Sequence, residues 1–130
     1  MAPRGLEMLV GVVNDPRFGP TIACGEGGTL VELHKDVAVR LTPLSASDAA
    51  GMLRELRSFP LLTGYRGSAP CDIGALEDVV LRLGALAEDQ ACIAEVDCNP
   101  VIVSESGAVV VDARVRVEAV MPQRPLGARL

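Results

Sequence analysis

The sequence predicts an α+β fold, an antiparallel or mixed sheet with two helices packed on one face. Three observations predict it. Short β-rich segments separated by glycine and proline occupy the first third of the chain. Apolar residues switch to helical spacing after Pro43. Two long β-rich stretches joined by a SESG turn close the sequence.

The elements follow in order. Residues 6–14, LEMLVGVVN, form a strand that Asp15-Pro16 stops, and DPRFGP makes the first turn. Thr21 to Cys24 is a short strand that ends in the glycine cluster GEGG at 25–28. Thr29 to Leu33 and Val37 to Leu41 are two further strand candidates, so the chain up to Leu41 is an antiparallel meander. Ser45 is an N-cap and Asp48, three residues on, completes a capping-box pattern. Ala46, Ala49, Ala50, Leu53 and Leu56 then fall on one helical face, with an end expected near Phe59-Pro60. LLTGYRGSAP is a loop carrying Tyr65 and Arg66. Asp72 caps a second helix whose stripe is Ile73, Leu76, Val79, Val80, Leu83, Leu86 and Ala87. IAEVDCNPVIV and AVVVDARVRVE are the closing strands, and the last stretch, with two prolines and no periodicity, is expected to be a disordered tail over 119–130.

Composition narrows the function. With 130 residues the chain has the length of one domain with its own core. Aromatics are 2%, which removes stacking platforms for single-stranded nucleic acid. Twelve basic against 17 acidic residues give a net charge of −5, the wrong sign for a phosphate-backbone binder. No apolar run approaches the ~20 residues of a membrane helix, and MAPRGLEML lacks a secretory apolar core. Cys24, Cys71, Cys92 and Cys98 form no CxxC pair, so a reduced, cytoplasmic protein is expected, with zinc disfavoured.

The closing hairpin carries the chemistry. Strands have period two, so Asp97 and Asn99 share a face. If Glu105-Ser106 is a two-residue turn, Asn99 lies opposite Asp112 and Asp97 opposite Arg114, with cross-strand Cβ atoms about 4.5–5.5 Å apart. Two carboxylates and an amide carbonyl then converge as hard oxygen ligands, which suit magnesium better than zinc. The alternative is a solvated face on which Asp97 and Arg114 are a surface ion pair and Asn99-Pro100 a bulge in an edge strand. A three-residue turn would send Asp112 to the other face.

Other motifs are weaker. The CGEGG cluster fits either an anion-binding nest or a tight hairpin, and matches neither phosphate-loop fingerprint. Arg66 could clamp a phosphate or sit exposed. His34 has no Ser or Cys partner pattern nearby and is read as structural or exposed.

The motifs Glu7-Met-Leu-Val-Gly-Val-Val, Asp15 to Pro20, Gly25-Glu-Gly-Gly with Glu32, Leu61 to Gly67, Glu95 to Val101 and Asp112-Ala-Arg occur in order over residues 5–117. They resemble the C-terminal part of the ATP-grasp domain in NDP-forming (ADP-forming) acetate/acyl-CoA synthetases. The succinyl-CoA synthetase beta subunit is more distantly similar. The resemblance implies one lobe of an ATP-grasp fold over 1–118, working as the ATP- and Mg2+-binding lobe of an acyl-CoA synthetase. In such ligases a phosphoryl group passes through a phosphohistidine on a partner domain to make acyl-CoA.

The resemblance further implies metal ligation by Asp97, Asn99 and Asp112, and a phosphate-side loop at Gly25, Gly27 and Gly28. The family's other ATP-grasp lobe and its CoA-binding domain are not within these residues, so both are expected as partners, and the chain is not expected to be active alone. His34 does not match the phosphorylated histidine. Similar domains are fused to GNAT-type lysine acetyltransferases, which gives the alternative of a non-catalytic regulatory or assembly module. Self-association through a lobe face left bare is expected to be compatible with either.

Overall fold

The computed structural model describes residues 5–27, 36–64, 67 and 69–119. Six strands and three helices follow one another as β1 (Leu6–Asp15), β2 (Gly19–Glu26), β3 (Val37–Leu41), α1 (Ala46–Glu55), α2 (Phe59–Leu62), α3 (Ile73–Asp89), β4 (Ile93–Ser104), β5 (Gly107–Val110) and β6 (Ala113–Val117). All pairings are antiparallel, in the order β3-β2-β1-β4-β5, with β6 also against β4. The expected α+β sheet with helices on one face is therefore the fold. The expected strand over Thr29 to Leu33, the Tyr65-Arg66 loop and nearly all of the tail lie outside the described residues.

Alternation decides which side the helices cover. Met8, Val10 and Val12 of β1 pair with Val101, Cys98 and Val96 of β4. On β1's other side, Val10 and Val12 pair with Cys24 and Ile22 of β2, and Cys24 pairs with Ala38 of β3. All of these are buried. They meet Ala49, Met52 and Leu53 of α1 and Leu76, Val80 and Ala87 of α3 in a single aliphatic core. Arg40 projects from β3 to this same side and pairs with Glu55 of α1.

Local signals set the helix starts. The Ser45 hydroxyl accepts the Asp48 amide at 3.0 Å and the Asp48 carboxylate accepts the Ser45 amide at 2.9 Å, so the capping box forms in both directions. Asp72 caps α3 by accepting the Ala75 amide at 3.0 Å. The first helix stops at Glu55 rather than running to Phe59. Asp36 is the reason: this buried carboxylate accepts the Arg57 and Ser58 amides at 2.7 and 3.0 Å, fixing an extended break before the short α2. On α3 the buried stripe is Leu76, Val80, Gly84 and Ala87, whereas Leu86 is 41% exposed.

Asn99-Pro100 lies in a central strand, not in the edge strand that a proline would favour. β4 is bonded on both sides, to β1 and to β5 and β6. The missing donor is accommodated by a bulge: the β1–β4 register shifts between Met8 and Val10. The inward positions accordingly change from Val96 and Cys98 to Val101 and Val103 across it.

Candidate functional site on the open face of the sheet

The sheet's second face has no helix over it among the described residues. Val37, Val39 and Leu41 of β3 are 40%, 51% and 53% exposed there. The same face carries Glu7, Leu9, Gly11 and Val13 of β1, and Glu95, Asp97 and Asn99 of β4, because each sits at the odd step between inward residues.

The closing hairpin has the two-residue turn. Ser104 pairs with Gly107, Val101 with Val110, Cys98 with Ala113 and Asp97 with Arg114. Between these ladders the Asn99 amide donates to the Asp112 carbonyl at 3.1 Å, and the Val111 amide donates to Pro100 at 3.0 Å. Asn99 is thus opposite Asp112, with Asp97 one same-face step along β4. The second closing strand is not continuous; it is interrupted at Val111-Asp112, and Asp112 is exposed at that interruption. Asp97 is also exposed, and Asn99 is half-buried.

The glycines divide by placement. Gly25 sits within the ladder between Leu9 and Val37, and a Cβ there would lie 2.4 Å from the Asp36 carbonyl oxygen. Close strand approach requires a glycine there. Gly27 is at the site: a Cβ on it would lie 3.2 Å from Asn99 Oδ1 and 2.9 Å from the Met8 backbone. Its amide donates to the Glu7 carbonyl at 2.9 Å and the Glu26 amide donates to Asp36 at 3.2 Å. The Gly27 amide has a backbone acceptor, and the lack of a side chain at 27 leaves room beside Asn99. Gly28, His34 and Glu32 lie outside the described residues. Reasoning from motifs missed Gly11, which pairs with Asp97 and places no side chain beside it. Its signal was a lone glycine inside an apolar strand.

Cation pairing on this face is uneven. Arg116 pairs with Glu95 at 3.5 Å and also with Glu118. Asp97 and Arg114, though opposite, form no ion pair among the described residues.

Thiol chemistry does not compete here. Burial, reinforced by Asp36, pushes the Cys24 thiol up to about 12. Burial, and secondarily Asp97, raises Cys98. Neutral thiols are poor ligands and nucleophiles. No group of three or more His, Cys, Asp or Glu gathers among the described residues. The donor set that does fit a hard cation is two carboxylates and an amide oxygen, Asp97, Asp112 and Asn99, on one face. Two concavities, one of about 600 Å³ near Asn14 and Cys92 and another near Leu44 and Gly84, lie away from these residues. The site is an open half-surface. No helix among the described residues is long and apolar enough to cross a membrane.

Comparison with known proteins gives the family and the fold. A family model described as ATP-grasp domain matches residues 1–117. The beta subunit of an ADP-forming acetate–CoA ligase I from Pyrococcus furiosus is 44% identical over 114 residues, covering 88% of this chain and 49% of that protein. An ADP-forming 4-hydroxybutyrate–CoA ligase from Nitrosopumilus maritimus is 40% identical over 107 residues, covering 82% of this chain and 15% of that protein. Among solved structures, a dinucleotide-forming acetyl-coenzyme A synthetase 1 from Ca. Korarchaeum cryptofilum superposes with a TM-score of 0.88 at 46% identity. That match covers 91% of this chain and 55% of the other. That protein was captured with coenzyme A and Mg-AMPPCP, its phosphohistidine segment pointing towards the nucleotide-binding site. The chain spans about half or less of the length of these relatives.

Proposed function

Because the chain belongs to the ATP-grasp domain family, we propose that its open sheet face is the magnesium- and ATP-binding half-site of an ADP-forming acid–CoA ligase. One observation carries the reading: Asn99 lies opposite Asp112, beside the space left by Gly27, on the face that no helix covers among the described residues. Relatives named as ADP-forming CoA ligases, and one captured with Mg-AMPPCP, support the same assignment.

Each residue has a part. Asp97, Asn99 and Asp112 hold the metal through oxygen. Magnesium, when bound there, would supply positive charge to offset the negative charge of the phosphates. Asn99 contributes a neutral donor, so the three side chains bring two negative charges rather than three and leave charge complementarity for the nucleotide. The bulge at Asn99-Pro100 tilts this stretch of β4 out of the regular ladder, and the interruption at Val111-Asp112 does the same on the opposing side. Gly27 leaves the space and its amide bond to Glu7 holds the chain's approach to it. The aliphatic core behind the sheet keeps the platform rigid, which is what positioning catalysis requires.

Two or three protein oxygens hold magnesium weakly alone. The second ATP-grasp lobe is the partner that closes over this face, and the exposed Val37, Val39 and Leu41 are apolar surface for it. A CoA-binding domain with the phosphorylated histidine completes the ligase, and acyl-CoA is its product. The reduced cysteines fit a cytoplasmic setting.

Titration calorimetry of Mg-ATP into the complete protein that contains this chain tests the proposal. Binding that vanishes when magnesium is chelated is expected. Absence of binding overturns the reading.

A further inference from the structure

We propose that Arg114 is the cation that grips the terminal, transferable phosphoryl group of the nucleotide. The inference rests on the open face being the magnesium–nucleotide half-site. Arg114 faces Asp97 across the β4–β6 ladder, two residues beyond Asp112, a step of about 7 Å along the strand. It therefore stands one same-face position from the metal ligands.

Its pairing sets it apart. Arg116, the next residue on that face, is held by Glu95 and Glu118. Arg40 points to the helix side and is held by Glu55. Arg114 is exposed and has no carboxylate within ion-pair distance among the described residues, although Asp97 lies directly opposite. Opposite charges at such positions ordinarily pair. Here both are left available, Asp97 to a metal ion and Arg114 to an anion.

Charge arithmetic says which anion. Two carboxylates and one divalent cation cancel, so the negative charge of the phosphate chain needs a further partner. A guanidinium fork matches two oxygens of one phosphoryl group. In phosphoryl transfer the charge gathers on the equatorial oxygens of the moving group, where a fixed cation is most effective. As the bond from the terminal phosphorus to the bridging oxygen breaks, ADP keeps the electron pair. The phosphorus bonds to the imidazole nitrogen of the partner domain, and Arg114 donates N–H bonds to the oxygens throughout. ADP lacks that group, so Arg114 discriminates ATP from ADP.

The test is calorimetry of Mg-ATP and Mg-ADP with the complete protein, as wild type, Arg114→Met and Arg114→Lys, with melting temperature as the folding control. Loss of a charged hydrogen-bond pair predicts that Arg114→Met weakens Mg-ATP about 10- to 100-fold and leaves Mg-ADP nearly unchanged. Arg114→Lys recovers part of that loss, because charge remains and the fork does not. Equal weakening of both nucleotides, or of neither, while wild type binds, overturns the role of Arg114 alone. A wild type that binds neither nucleotide overturns the half-site reading and this inference with it.

Discussion

The two faces of one sheet are built from alternate residues of the same strands and obey different rules. On the covered face Met8, Val10, Val12, Ile22, Cys24, Val96 and Val101 are closed against α1 and α3, each at 3% exposure or less. On the open face the alternate positions mix exposed apolar residues such as Val13, Val39 and Leu41 with glycines, carboxylates, an amide and arginines. On the covered face a polar group without a partner is costly. On the proposed reading, Asp97, Asn99, Asp112 and Arg114 of the open face find their partners in the metal ion and the nucleotide. Stability therefore belongs to one face and chemistry to the other, and single substitutions separate them.

The largest effect belongs to the open face. Asn99→Ala or Asp112→Ala in the complete enzyme is expected to lower turnover by about a thousandfold or more, the several kcal/mol that a metal supplies to the transition state. Both side chains lie outside the core, so the melting temperature is expected to stay close to wild type. Wild-type turnover in either variant would break the division between the faces. On the covered face, Leu76→Ala removes a fully buried side chain and is expected to cost about 2–5 kcal/mol by denaturant unfolding. Mg-ATP affinity of the folded Leu76→Ala protein should remain that of wild type.

Alkaline pH probes the covered face without mutation. The Cys24 thiol ionises near 9 when unfolded but is pushed up to about 12 by burial in the fold. A raised acid contributes stability that is whole below the unfolded value and declines as pH rises towards the folded one. Unfolding free energy should fall between roughly pH 9 and 12. Cys24→Ala should reduce that decline and leave the part that the raised Cys98 thiol contributes; a decline of the same size in the variant would assign it elsewhere.

How much of this was legible without coordinates also divides by face. The covered face was open to reading because burial imposes periodicity: Ala49 and Leu53, then Leu76 and Val80, appear at helical spacing, and Ser45, Asp48 and Asp72 mark the starts. The site's register was legible too, since a Glu105-Ser106 turn fixes every later pair, Asn99 with Asp112 included. Long-range contacts were not. Nothing local announces that Asp36 holds the Arg57 and Ser58 amides and so ends α1 early. Nor does local sequence place Pro100 in a central strand, because a bulge against β1 is a property of two segments some ninety residues apart. Nor does local sequence show which neighbours approach Gly25 and Gly27. The Asp36 carbonyl and Asn99 Oδ1 are those neighbours, and neither is near in sequence.

The smallest expected effect sharpens the comparison most, because it perturbs the helix layer without touching either face. Ser45→Ala deletes the hydroxyl that accepts the Asp48 amide, and a lost N-cap costs about 1 kcal/mol. Backbone and side-chain hydrogen bonds from Ser45 hold the Asp48 carboxyl below its usual range. A lowered acid stabilises above its unfolded value, and that contribution is lost as pH falls through the folded one. The stability gap between wild type and Ser45→Ala should thus be full near neutrality and narrow in acid, measured by denaturant unfolding at each pH. Mg-ATP affinity should be indifferent to Ser45 throughout. An affinity that follows the cap would mean that the helix layer transmits its state through the sheet to Asp97, Asn99 and Asp112, and the faces would no longer be independent.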